Sequence, residues 1–104
     1  MDVLASNRTR LTCGDVVHRG DVVLIKDGPN FIAGQIWYNA GVDEVLFSVV
    51  ECWTLVQMLP DRNAAEWLKN EDDVQLIAIE DIMVGVIWMQ IGNVVRTLLP
   101  YSVR

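Results

Sequence analysis

The sequence predicts an all-β domain, a small β-barrel with at most one short helix. Three observations carry this. Short β-branched apolar runs recur along the chain, each is bounded by Gly, Asp, Asn or Pro, and the turn signals fall so close together that little room is left for helix.

The elements follow in order. Residues 1–9 are polar with little to bury and read as a flexible N-terminal arm, leaving 10–104 as a single β-barrel domain. Leu11–His18 and Asp21–Lys26 read as two strands joined by a tight turn at Arg19-Gly20, a twisted hairpin that opens the barrel. The pairs Gly14-Asp15 and Gly20-Asp21 mark where the chain turns, because Gly reaches positive φ freely and Asp hydrogen-bonds its own backbone. Asp27-Gly28-Pro29-Asn30 is a dense turn signal before a third strand, Phe31–Tyr38, in which Gly34 suggests a bulge or a bend.

A turn at Asn39–Asp43 leads into Glu44–Val56, a run longer than an ordinary strand that is expected to bend around the barrel. Pro60–Asn70 is the one helix-like piece, with Asp61 as cap and Ala64, Ala65, Trp67 and Leu68 toward the core; a loop carrying Trp67 inward is the alternative. Glu71-Asp72-Asp73 returns the chain to a strand at Val74–Ile79, which Glu80-Asp81 breaks. Ile82–Gln90 and Val94–Leu99 then form a closing hairpin around Ile91-Gly92-Asn93, and Pro100 ends the pattern.

A chain of 104 residues supports one core and no independent second unit. With 52% hydrophobic residues and four Trp, most aromatic surface is expected to be buried or held at an interface. The net charge of −6 is uneven: from Asp43 to Asp81 ten acids stand against Arg62 and Lys69 alone. Such a segment repels phosphate backbones and attracts basic peptides, or simply solvates a face.

Cys13 and Cys52 have neither metal-ligand spacing nor the density of a disulfide scaffold, and His18 is the single histidine. No metal or other cofactor is therefore expected, and the compartment reads as intracellular and reducing. Met1–Asn7 lacks the pattern of a secretory signal, and the most apolar stretch, Ile82–Ile91, is too short to span a bilayer, so no membrane partner is expected. The Asn7-Arg8-Thr9 and Arg19-Gly20-Asp21 tripeptides are short enough to arise by chance and default to an arm and a turn.

No catalytic constellation stands out. A thiol paired with His18 is conceivable, but free Cys is ordinarily a small buried hydrophobe, and adjacent acids such as Glu80-Asp81 are ordinarily solvated turns. Gly28, Gly34 and Gly41 are isolated and precede no helix that could cradle a phosphate. The chain is accordingly read as a non-enzyme.

The aromatics offer more. Trp37 and Tyr38 are consecutive, so in a regular strand they point to opposite faces and at most one is core. Trp53 lies two residues beyond Glu51 and shares its face, bringing an aromatic ring and a carboxylate together. Rings beside an acid bind ammonium groups by cation–π attraction, so Trp37, Tyr38, Glu51 and Trp53 form the candidate ligand site, weighed against the ordinary use of such rings as core.

The succession Gly20-Asp21-Val22-Val23-Leu24-Ile25, Ile32-Ala33-Gly34-Gln35-Ile36, an acidic strand with Trp53, then Val74-Gln75-Leu76-Ile77 and Ile82 resembles the bromo-adjacent homology domain. That resemblance implies a Src-homology-3-like or bromo-adjacent type of β-barrel in a chromatin protein, with histone tails, nucleosomes or other proteins as partners and a nuclear setting. The chain is shorter than such domains and lacks their inserted segments. Gly20–Lys26 also resembles the opening of the C-terminal barrel of retroelement integrases, which implies DNA binding through Arg8, Arg10, Arg19 and Lys26; the acidic balance weighs against that role. The leading expectation is a module for a protein or basic peptide, followed by a nucleic-acid-binding barrel and by a domain that pairs with itself through strand edges or apolar surface.

Overall fold

The structure is a computed structural model, which describes the backbone of residues 3–6, 8–43 and 45–103 and the side chains of 8–41, 43 and 45–103. Its strands are β1 (Val3–Ser6), β2 (Arg8–Arg10), β3 (Val16–His18), β4 (Val22–Asp27), β5 (Asn30–Val42), β6 (Val45–Cys52), β7 (Thr54–Leu59), β8 (Ala64–Leu68), β9 (Val74–Ala78), β10 (Ile82–Gly85), β11 (Trp88–Ile91) and β12 (Val94–Leu98). All ladders are antiparallel. The all-β class expected from the turn spacing is the one observed.

Among the described residues, three sheets make the fold. The largest runs β10-β4-β5-β6-β9 with β1 also on β5, the second runs β11-β12-β8-β7, and β2-β3 form a small hairpin. The large sheet curls until its two end strands, β9 and β10, are joined by a single 3-10 turn at Ile79–Asp81. Its ladder does not close between them, so the architecture is a curled open sheet with a second sheet against it and not a closed barrel.

Strand β4 explains the packing. Its run Val22-Val-Leu-Ile25 is buried throughout, and alternation divides it between two cores. Val23 and Ile25 face the concave side with Ile36, Val50, Cys52, Ile79 and Ile82, where Leu11 and Val17 of the small hairpin region join them. Val22 and Leu24 face the second sheet and pack with Ala33, Trp53, Ala65, Trp67, Val95 and Leu99. Within that second core the Trp67 indole N–H donates to Thr97 Oγ1 at 2.9 Å, which satisfies a fully buried polar group.

Several expectations are corrected. Leu11–His18 is not one strand: Leu11 to Asp15 is a turn closed by the Leu11 amide on the Asp15 carbonyl at 2.8 Å, and β3 pairs back onto β2 instead of onto β4. The expected arm pairs in part, because β5 extends beyond the end of β4 and its free edge at Asn39–Val42 takes β1, while Arg8–Arg10 pairs with β3. Residues 1, 2 and 7, and with them the Asn7 tripeptide, lie outside the described residues.

Beyond the third strand, Asn39–Val42 continues β5, and the long run that follows breaks at Trp53, where the chain leaves the large sheet as β6 and enters the second as β7. The helix over Pro60–Asn70 is absent; a 3-10 turn at Pro60–Arg62 ends at Asn63, whose φ of 50° is left-handed, and β8 follows. Central pairing of β8 between β7 and β12 overrides the weak strand preference of its alanines.

Gly34 has a different task from the one expected. The register break in β5 falls at Trp37, between Ile36 and Tyr38, not at Gly34. A Cβ on Gly34 would stand 2.6 Å from both the Glu51 carbonyl oxygen and Val50 Cγ1, so this glycine permits close approach of β6.

Candidate functional site

The site is built around Glu51 in the middle of the large sheet. Val50 and Cys52 point into the concave core, so the alternate residue Glu51 points to the opposite face, as does Trp53 after the strand ends. There the carboxylate is buried and takes one indole on each oxygen. The Trp53 indole N–H donates to Oε2 at 2.6 Å, and the Trp37 indole N–H donates to Oε1 at 3.4 Å. A buried carboxylate needs such donors to offset its lost hydration.

The four expected site residues therefore divide. Glu51 and Trp53 do come together, as their spacing implied, but Trp53 is only 3% exposed and Lys69 Nζ lies 6.0 Å from its ring centroid. Neither can face a ligand. Trp37 and Tyr38 are 40% and 44% exposed, and the alternation rule fails for them because the bulge at Trp37 rotates the strand locally. Neither ring is core, and Glu51 acts on the pair from beneath by tethering Trp37.

Beside these two rings the chain makes the turn between β3 and β4. The His18 amide donates to Asp21 Oδ2 at 2.8 Å, the Asp21 amide to the His18 carbonyl at 3.0 Å, and Gly20 at φ 91° supplies the left-handed corner. The Gln35 side-chain amide donates to the Gly20 carbonyl at 2.9 Å and pins the turn to β5. Arg19, Gly20, Gln35, Ile36, Trp37 and Tyr38 thus line an open groove of about 510 Å³.

Arg19, Gly20 and Gln35 were missed as site residues. The signal was present: the turn at Gly28-Pro29 sets Asp27 opposite Asn30, and counting back along that register brings residues 19 and 20 beside 37 and 38.

Other chemistry is sparse. Among the described residues no group of three His, Cys, Asp or Glu is placed to hold a metal ion, and no helix is long and apolar enough to cross a membrane. Cys52 is buried, and burial, followed by the nearby carboxylates of Asp73, Asp27 and Glu51, pushes its thiol up to about 11. It is protonated and unreactive at neutral pH. Cys13 is exposed, and His18 Nδ1 lies 3.6 Å from Asp21 Oδ2 on the surface.

Comparison of the chain with protein families, with curated proteins and with solved structures gives no match.

Proposed function

We propose that the chain is a non-enzymatic protein-interaction module that takes a basic peptide segment along the groove beside Trp37 and Tyr38. The observation that carries this reading is the pair of adjacent, half-exposed rings beside a pinned turn, one of them tethered from below by a buried carboxylate. Rings held in place before a ligand arrives lose little freedom on binding, which is why aromatic side chains anchor peptides well. Glu51 is occupied by two indoles, so attraction for a basic peptide comes from the acidic surface as a whole and acts by steering. Arg19, which lines the groove, is suited to receiving peptide carbonyl oxygens.

The resemblance to bromo-adjacent homology domains makes histone tails the first peptides to try, and a chromatin setting is part of the same proposal. The segments behind that resemblance lie in the large sheet, Val22–Ile25, Ile32–Ile36 and Ile82 in the neighbouring strands β4, β5 and β10, and Val74–Ile77 in β9 at its other end, beyond β6. The test immobilises the domain and presents a histone-tail peptide array together with fluorescent duplex DNA at two salt concentrations. Specific peptide capture that Trp37→Ala or Tyr38→Ala lowers about tenfold or more supports the reading. Silence on the array with salt-sensitive DNA binding overturns it in favour of a nucleic-acid-binding module.

A further inference from the structure

The charges around the groove are sorted by sign. Among the described residues, Arg19 is the one charged side chain lining it, so a ligand lying on Trp37 and Tyr38 meets a cation at that end. From Arg19 the cations continue along the β2–β3 hairpin. Val17 is buried in the concave core opposite Thr9, so the alternate residues Arg8, Arg10, Val16 and His18 share the outward face, and all four are exposed. Arg8 stands opposite His18, and Arg10 stands opposite Val16, roughly 7 Å further from the turn. Three of the chain's eight lysines and arginines thus fall on one turn and its hairpin.

Two acids lie close by, and both are turned aside. Asp21 Oδ2 accepts the His18 amide at 2.8 Å, with His18 Nδ1 at 3.6 Å, and Asp15 Oδ2 accepts the Gly85 amide at 3.3 Å. Both aspartates line a separate cleft with Val17, Gly85 and Ile87. Among the described residues neither Arg10 nor Arg19 is in an ion pair. The Gly20 amide donates to the Ile36 carbonyl at 2.8 Å and the Ile36 amide to the Asp21 carbonyl at 2.9 Å, so the turn that presents Arg19 is fixed beside the rings.

We propose, resting on the use of the groove as a peptide site, that the peptide carries a phosphorylated serine or threonine whose phosphate is received by Arg19, with Arg8 and Arg10 behind it. A phosphate brings nearly two negative charges and three acceptor oxygens, and a guanidinium presents its donors in a planar fork that matches them. Its five N–H donors leave room for a peptide carbonyl as well. The ligand is then a basic segment with one strong anion in it: the acidic surface steers the segment, and the arginines set its register. A nucleic acid fits less well. A duplex carries a negative charge about every 1.7 Å of its axis, of which three arginines neutralise few, while the ten acids from Asp43 to Asp81 repel the rest.

Fluorescence anisotropy on the full chain tests this with Lys- and Arg-rich histone-tail peptides, each unmodified, phosphorylated at one Ser or Thr at a time, or carrying Glu at that position, with duplex DNA alongside. One phosphorylated form is expected to bind about tenfold tighter than its unmodified parent, with the Glu form between them. That ratio is expected to collapse in Arg19→Gln and to fall in Arg10→Gln, both at exposed positions, whereas Trp37→Ala weakens both forms and keeps their ratio. If Arg19→Gln fails to fold, Arg19→Lys serves instead, because it keeps the charge and loses the fork, and the ratio is expected to fall. Unmodified peptides that bind while phosphorylation gives no gain at any position overturn the proposal, although the groove's use as a peptide site stands. A gain undiminished in the arginine variants does the same. Peptides that bind in no form overturn both, and duplex DNA bound more tightly than every phosphorylated peptide overturns the proposal in favour of a nucleic acid.

Discussion

Replacing Glu51 tests the logic of the site. In Glu51→Ala both indoles lose their acceptor. Trp37 can turn its N–H to water, being 40% exposed, but Trp53 at 3% exposure cannot. The buried indole N–H left unpaired costs about 1–3 kcal/mol, and the side-chain volume removed from a packed region adds about 1 kcal/mol or more. Release of a buried carboxylate offsets part of this. The net expectation is a loss of about 2–3 kcal/mol, which for a domain of this size lowers Tm by roughly 10–20 °C.

Glu51→Gln differs in a way that separates the two indoles. Its one carbonyl oxygen can serve the short bond to Trp53, while its amide nitrogen then faces the Trp37 indole donor. The loss is expected to stay within about 1 kcal/mol, with the Trp37 ring untethered and peptide affinity reduced. Thermal unfolding followed by circular dichroism measures the first effect, and peptide titration the second. Glu51→Ala as stable as wild type, or Glu51→Gln binding peptide as wild type does, would refute the reasoning.

Further predictions follow from single features. Gly34→Ala would gain about 0.4–1 kcal/mol from a less flexible unfolded chain were the site open, but its Cβ meets a backbone carbonyl and Val50 Cγ1 at 2.6 Å, so urea denaturation should show a net loss of about 1–3 kcal/mol. Cys52 holds its proton more tightly in the folded than in the unfolded chain. Its contribution to stability is therefore full below about 9, is lost as pH rises toward about 11, and should vanish from the alkaline limb of a pH–stability profile in Cys52→Ala. Glu66 has the opposite sign: hydrogen bonds from Gln57 and then from Arg96 hold its carboxyl below the usual carboxylate range. Its stabilisation is present above that range and is lost as pH falls through its lowered value, so Glu66→Gln should flatten the acid limb of the same profile.

The strands themselves were largely legible because turn chemistry is local. Gly28-Pro29 and Gly92-Asn93 sit at the hairpin corners expected of them, with Gly28 and Gly92 at φ 59° and 63°, and the apolar run at β4 is the strand expected there, though its burial on both faces was not read from it. Pairing was less legible because it is decided at a distance. Nothing local says that β3 pairs with β2 instead of β4, or that the free edge of a long β5 takes β1. The helix misread at Ala64–Leu68 has the same origin, since alanine prefers helix and only the flanking strands made that segment extended.

For the site, the spacing of Glu51 and Trp53 correctly implied that they meet, but spacing carries no information about depth. Contact between a ring and a carboxylate looks alike in sequence whether it is an open cage or a buried bond, and burial made it the second. The bulge at Trp37 was equally hidden, because it arises from how β5 fits β6 and no residue type at that position requires it.

The central claim is that peptide is taken at the groove of Trp37 and Tyr38 while Trp53 and Trp67 stay structural. The direct measurement is a titration of the isotopically labelled chain with a Lys- and Arg-rich histone-tail peptide, followed by nuclear magnetic resonance at the four tryptophan indole N–H signals and the backbone amides. The account predicts that the Trp37 indole and the amides of Arg19, Gly20 and Tyr38 shift with saturation, while the buried Trp67 indole stays in place. Saturable shifts centred on the second sheet, or no shifts at millimolar peptide, would contradict it.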